Sequence, residues 1–369
     1  MSEKPMLDDI MRQPSLLRGL ASRLGEIEAF WREHLRDASR LIAFGSGDGW
    51  FAARSVSARA GEPGLLAASG LEVAADQGPV IAPSDRLIAI SMSGNVDRTV
   101  EAAARAIEQG AKAVSLTNSA GGRLAELGLP NFSLRIDDVA PFLCGTSSFT
   151  ATHTVLAAFS SLADGQSVGS IEEQMTATAD ALENLLAEAA PIAQEIAAHK
   201  ATHAPGLRYL SCGRRGSAIA DFGAAKIVEL SATPVWSDDL EEFAHRQYWT
   251  MARGEVAVML PTSAFVADIA KDSADALLAM EVDTVAIGPA SLGVDTARWQ
   301  VAWRDDAKVN DATLASGALQ LLAYHWASEA GFDPNRRMHL KNDTTRFKTS
   351  RLLTRRSLHA VAGDPATAV

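Results

Sequence analysis

Cysteine is scarce in this sequence. Cys144 and Cys212 are the only two among 369 residues, and neither belongs to a CxxC pair. That pattern offers neither a disulfide framework nor a thiolate metal site. Long apolar runs are missing too. No stretch approaches 18 uncharged apolar residues, so no membrane span is expected. Positive charge is in the minority, with 34 Lys and Arg against 45 Asp and Glu and a formal net charge of -11. A general nucleic-acid surface needs the opposite balance, so no nucleic-acid partner is expected. Small anions are not excluded, because local backbone donors and a few side chains decide their binding. The start, Met1-Ser-Glu-Lys-Pro5, has no basic segment leading into an apolar run. No secretory signal is therefore expected, and the protein is expected to be cytoplasmic. The glycine-rich turns never spell GxGxxG, which argues against a dinucleotide site. His199 and His203 are spaced to share a helical face, but no third ligand stands near them, so no metal is expected.

What is present is an ordinary globular balance, 47% apolar and 21% charged residues, over a length that usually needs two cores. Residues 6–36 carry Leu16, Leu17, Leu20, Leu24, Ile27, Phe30 and Trp31 at helical spacing, predicting one helix or two. Arg40-Leu-Ile-Ala-Phe44 then reads as a strand, Gly45-Ser-Gly-Asp-Gly49 as a turn, and Trp50–Ala60 as a helix. The grammar repeats at Arg86–Ser91, Met92–Val96 and a helix to about residue 109, followed by a strand at 113–117. Strands alternating with helices of a dozen residues mean βαβ crossovers and a parallel sheet. A long helical region from 147 to 200 should break near Gly165–Gly169 and at Pro191. After residue 206 the grammar restarts, with strands at 207–211, 255–260 and 282–287. The halves align at a spacing of about 170 residues, the signature of an internal duplication.

The loop with most chemical promise is Ser91-Met-Ser-Gly-Asn95, placed between a buried strand and a helix start. Amides at a helix N-terminus point outward unpaired and favour negative charge. Ser91 and Ser93 add hydroxyl donors, and Gly94 permits close backbone approach. Serine and glycine equally favour a plain N-cap and a tight turn, so the residues alone leave both readings open.

Four segments in order resemble the SIS (sugar isomerase) domain family. They are Ile10-Met-Arg-Gln-Pro-Ser-Leu-Leu17, Gly45–Gly49, Ile90–Asn118 (ISMSGNVDRTVEAAARAIEQGAKAVSLTN) and Thr146-Ser-Ser-Phe-Thr150. The likeness spans about residues 6–345, in the arrangement of the isomerase half of glucosamine-6-phosphate synthase and of agaS-type ketose/aldose isomerases. It implies an α/β fold of two tandem SIS domains, each a flavodoxin-like parallel sheet flanked by helices. The expected divisions are an N-terminal helical segment (1–36), a first SIS domain (37–165), connecting helices (166–205), a second SIS domain (206–335) and a C-terminal loop and tail (336–369).

The resemblance also implies roles. Glu229, ending Ala224-Ala-Lys-Ile-Val-Glu229, matches the glutamate that transfers the proton. His245, in Asp239-Leu-Glu-Glu-Phe-Ala-His245, matches a histidine that assists ring opening, often from the neighbouring subunit. Lys341, in Arg337-Met-His-Leu-Lys341, matches the lysine of a loop that closes over the substrate carbonyl. Gly47, Asp48, Ser91, Ser93, Asn95, Thr99, Thr146 and Glu242 fall where substrate is held. The implied partner is a small phosphosugar, the implied assembly a homodimer with a shared site, and no metal or organic cofactor is called for. The activity implied is aldose–ketose isomerisation or amino-sugar-phosphate deamination through an enediol. Fructosamine-phosphate deglycation and non-catalytic sugar-phosphate sensing are the alternatives. With no glutamine-hydrolysing unit ahead of the first domain, ammonia release from glutamine is not expected of this chain.

Several positions depart from the family pattern. Asp48 brings a carboxylate to a phosphate loop, where it would repel a dianion. Val96 and Gly145 replace hydroxyl residues, and Arg246 replaces a glycine after the histidine. Pro261-Thr-Ser263 takes the phosphate-loop position of the second half without S-x-S-G, so phosphate is expected in the first half alone. Eight Lys and Arg with one Asp between Arg336 and Arg356 suggest a tail that packs on acidic protein surface.

Overall fold

The computed structural model describes residues 3–58, 64–118, 122–140 and 143–335, with five further positions between 344 and 353. The first sheet contains β1 (Leu41–Gly45), β2 (Leu65–Ser69), β3 (Arg86–Ile90), β4 (Lys112–Thr117) and β5 (Asn131–Ser133). The second contains β6 (Leu207–Ser211), β7 (Val235–Asp239), β8 (Val256–Leu260), β9 (Asp283–Pro289) and β10 (Trp299–Trp303). All pairings are parallel. The strand orders are β2-β1-β3-β4-β5 and β7-β6-β8-β9-β10, the same doubly wound order twice. This order reverses between β1 and β3, and again between β6 and β8, which opens a crevice at the carboxyl ends of those strands.

The central strands formed where continuous apolar runs predicted them, because a strand covered by helices on both faces has no solvent side. β1, β6 and β8 are buried at every residue. The outer strands β2, β5, β7 and β10 are only partly buried. β10 alternates buried Trp299, Val301 and Trp303 with exposed Gln300 and Ala302.

The N-terminal segment is three helices, α1 (Pro5–Met11), α2 (Gln13–Ser22) and α3 (Leu24–His34). In the first half follow α4 (Asp48–Val56), α5 (Gly70–Ala74), α6 (Asp97–Glu108) and α7 (Arg123–Glu126). The centre of the chain is α8 (Ser147–Ala163) and α9 (Val168–Lys200). The second half has α10 (Gly213–Leu230), α11 (Leu240–His245), α12 (Ala264–Ala279) and α13 (Asp311–Glu329). The break at Gly165 is present, but Pro191 does not stop α9. Both Pro191 and Ala187, whose carbonyl loses its partner four residues on, are exposed, so water can satisfy that carbonyl. Meanwhile the stripe Ile171, Met175, Leu182, Leu186, Ala189, Ala193 and Ile196 stays buried against α13 and α2. One apolar cluster runs from Ile88 and Phe149 through Leu182 to Tyr209 and Val258, joining both sheets.

Candidate active site

The site grows from the crevice between β1 and β3. Gly45 pairs with Ile90 across the two strands, and a Cβ on Gly45 would lie 3.0 Å from the Ile90 carbonyl oxygen. The two loops that leave these strands are therefore neighbours. Gly47, with φ +56°, turns the chain into α4 and sets Asp48 in its first turn. Gly94, with φ +69°, turns the Ser91–Asn95 loop toward α6. Asn95 pins this loop, donating from Nδ2 to the Ser93 carbonyl (2.9 Å) while its Oδ1 accepts from the Arg123 amide (3.1 Å). Ser93 and Asn95 are exposed at the loop tip. Ser91 and Thr99 are buried, and their hydroxyls have no hydrogen-bond partner among the described residues.

Facing this edge is the C-terminal half of α10, which packs against α4. Its buried stripe includes Phe222, Lys226, Ile227 and Leu230. Lys226 is fully buried; its Nζ lies 2.8 Å from Asp48 Oδ1 and 3.1 Å from Glu229 Oε1. Glu229 keeps 28% side-chain exposure, so it is held from within and open from without. Its other oxygen accepts from the buried Cys144 thiol at 3.0 Å. Burial opposes charge on Lys226, but Asp48, Cys144 and Glu229 outweigh it, and the ammonium is held above the usual lysine range. An ion pair on this scale of burial survives only with such hydrogen bonding.

Two departures from the family pattern explain each other here. The Asp48 carboxylate occupies the space that a Cβ on Gly145 would fill. Its charge is matched by Lys226 and is not left facing a ligand alone. A third departure, Arg246, makes an ion pair with the buried Asp238.

The other expected residues fall elsewhere. Thr146 is buried, and its hydroxyl donates to Asp9, as does that of Ser147 (2.8 Å). The Ser147 amide donates to the same carboxylate at 3.0 Å, so Asp9 of α1 caps α8 from a distance. His245 ends α11 at the surface, 68% exposed, with Glu241 at 3.0 Å; Glu242 is exposed beside it. Lys341 lies outside the described residues. Lys226, Cys144 and Asp9 were not singled out from sequence. A lysine placed among Ala and Ile on the buried stripe of a helix, three residues before Glu229, was the available signal for the first.

The SIS domain family model matches residues 34–162. No curated protein sequence matches the chain. Among solved structures, the C-terminal domain of glucosamine-fructose-6-phosphate aminotransferase from Francisella tularensis has a TM-score of 0.73 at 15% identity, covering 90% of this chain and 98% of that one. Tagatose-6-phosphate ketose/aldose isomerase from Escherichia coli has a TM-score of 0.71 at 17% identity, covering 91% and 95%. Glucosamine-6-phosphate deaminase from Thermotoga maritima has a TM-score of 0.70 at 15% identity, covering 90% and 97%. Residues 34–162 thus match the SIS domain, and the strand order of that domain is repeated in the second sheet.

Proposed function

We propose that the chain is a phosphosugar aldose–ketose isomerase or amino-sugar-phosphate deaminase whose proton-transfer base is Glu229. The observation that carries this reading is the Lys226–Glu229 pair, which Lys226 ties to Asp48 at the start of α4, after the strand β1 that pairs with β3 and its Ser91–Asn95 loop. The phosphate would sit on the exposed loop amides at the start of α6, where helix-terminal donors are unpaired. The buried Ser91 and Thr99 hydroxyls, each costly to leave unpaired, supply further donors to this end of the site. The sugar then extends toward Glu229. Its carboxylate takes the proton from the carbon beside the carbonyl and returns it to the neighbouring carbon, which regenerates the base. The Lys226 ammonium orients one Glu229 oxygen, and the Cys144 thiol fixes the second.

His245 assists ring opening from a second copy of the chain in this reading, which its surface position permits. The test uses hexose 6-phosphates, amino-sugar 6-phosphates and fructosamine 6-phosphates in deuterated water. One class should exchange its C1 or C2 proton and turn over. Glu229→Gln should bind that compound and lose at least a hundredfold in turnover, within the usual range for a general base. Binding without turnover in the parent chain would instead assign it to sugar-phosphate sensing. Exchange that persists in Glu229→Gln would remove the base from the scheme.

A further inference from the structure

One well-formed cavity in the described part of the molecule lies apart from Glu229. It has a volume of about 750 Å³ and opens at the carboxyl edge of the second sheet, between the ends of β6 and β8. That is the second point at which strand order reverses. The volume falls within the range of small-molecule sites. Ile219, Leu260 and Trp303 give it an apolar floor, and Arg214 and Arg215 stand at its rim in the first turn of α10.

The duplication shows how this crevice differs from the first. β1 and β6 align at 166 residues, which superposes Gly47 on Gly213, both with positive φ. Asp48 then corresponds to Arg214, so the charge at that position is reversed. Arg214 is exposed and makes no ion pair among the described residues, whereas Arg215 donates from Nε to the Ser57 carbonyl at 2.9 Å. Among the described residues, the second crevice thus carries a cavity and positive charge where the first carries Asp48.

Its wall carries fixed polar groups. The buried His153 bridges two of the lining residues, with Nδ1 2.7 Å from the Ser55 hydroxyl and Nε2 3.2 Å from Asn310 Oδ1. Asn310 Oδ1 also accepts from the Thr313 amide, so the imidazole donates from Nε2 and accepts at Nδ1. Asp311 is anchored by the Trp303 indole at 2.7 Å, and with Asp164 it offers acceptors to hydroxyl groups. Arginines and carboxylates in one lining suit a molecule that carries an anion beside hydroxyls.

We propose that this cavity is a second, non-catalytic binding site for a small phosphorylated polyol. It departs from the expectation that the first half alone binds phosphate. The Pro261-Thr-Ser263 loop lacks S-x-S-G, and the arginines replace the missing donors. Its occupant would touch Ser55 and Ser57 at the C-terminal end of α4, whose N-terminal turn carries Asp48 of the first site.

Calorimetric titration with fructose 6-phosphate, glucosamine 6-phosphate, 6-phosphogluconate and inorganic phosphate tests the proposal. The probes are run on the full chain, on Ser91→Ala/Ser93→Ala, and on the latter combined with Arg214→Glu. The double serine variant should retain one saturable binding event for a phosphorylated polyol. Adding Arg214→Glu should weaken that event at least tenfold, while inorganic phosphate binds more weakly than the polyol throughout. Arg214→Glu alone should leave any turnover of the full chain in place. Failure of the Glu229 scheme would remove turnover or the serine-dependent event and leave this one intact. The proposal is overturned if no probe binds the double serine variant, or if binding there ignores Arg214→Glu.

Discussion

At the scale of single residues, the site depends on charges neutralised across the two halves. Asp48 and Gly145 should behave as a coupled pair. Gly145→Ala places a methyl group on the Asp48 carboxylate and should lower stability by about 1–3 kcal/mol, the usual cost of overpacking. Combined with Asp48→Ala the same change should cost markedly less, so urea denaturation of the double-mutant cycle should show a coupling of about 1 kcal/mol or more. His153 makes a second residue-scale prediction. Burial holds its pKa at about 4, below the ordinary value of 6.5, so the native imidazole is neutral. The unfolded chain binds the proton that the native state refuses. Stability is therefore intact above about pH 6.5 and declines as the pH falls toward about 4, by roughly 3 kcal/mol for this group. His153→Gln should flatten that part of the profile, measured as the urea midpoint against pH in both proteins. The partner that neutralises Asp48 could not be read from its neighbours in sequence. Asp48 looked like a repulsive carboxylate because the lysine that neutralises it lies 178 residues away.

At the scale of elements, two helices are governed by features that periodicity does not report. α8 has no cap from its own N-cap side chain, and Asp9 supplies the missing acceptor from α1. Asp9→Ala should remove the hydrogen bonds to Ser147 and Thr146 and destabilise by about 2–3 kcal/mol, since a cap and charge-assisted bonds are lost together. Thermal unfolding gives the readout, and the Arg12–Asp9 ion pair is lost in the same step. α9 is the opposite case. Pro191→Ala should restore the amide that bonds the Ala187 carbonyl and raise the melting temperature without moving the helix, because packing already holds it. The break expected at Pro191 rested on the local cost of proline. It failed because that cost falls on a solvated face while the opposite face is buried for 33 residues.

At the scale of the whole molecule, the fold is one α/β unit used twice around a shared apolar core. Each crevice borrows a helix from the other half: α10 supplies Lys226 and Glu229 to the first, and the end of α4 lines the second. The proposed completion of the site by His245 of a second copy predicts complementation. Glu229→Gln and His245→Ala, each inactive alone, should recover part of the turnover when mixed and refolded together. Recovery requires a mixed dimer in which one site has both groups, and its absence would place His245 outside the reaction.

The sequence by itself determined the parallel architecture, the duplication and the position of the Ser91–Asn95 loop. Buried parallel strands are written as continuous apolar runs, and the turn after each must use small residues to start a helix. The edge strands escaped notice because partial exposure dilutes their pattern, as in the alternating β10. Only the tertiary structure decided which charges meet. It paired Lys226 with Asp48, set Cys144 on Glu229, gave Thr146 to Asp9 and left Arg214 over an open cavity. Those pairings join residues far apart along the chain, and their strength comes from burial and the low dielectric it brings, neither of which is encoded at any single position.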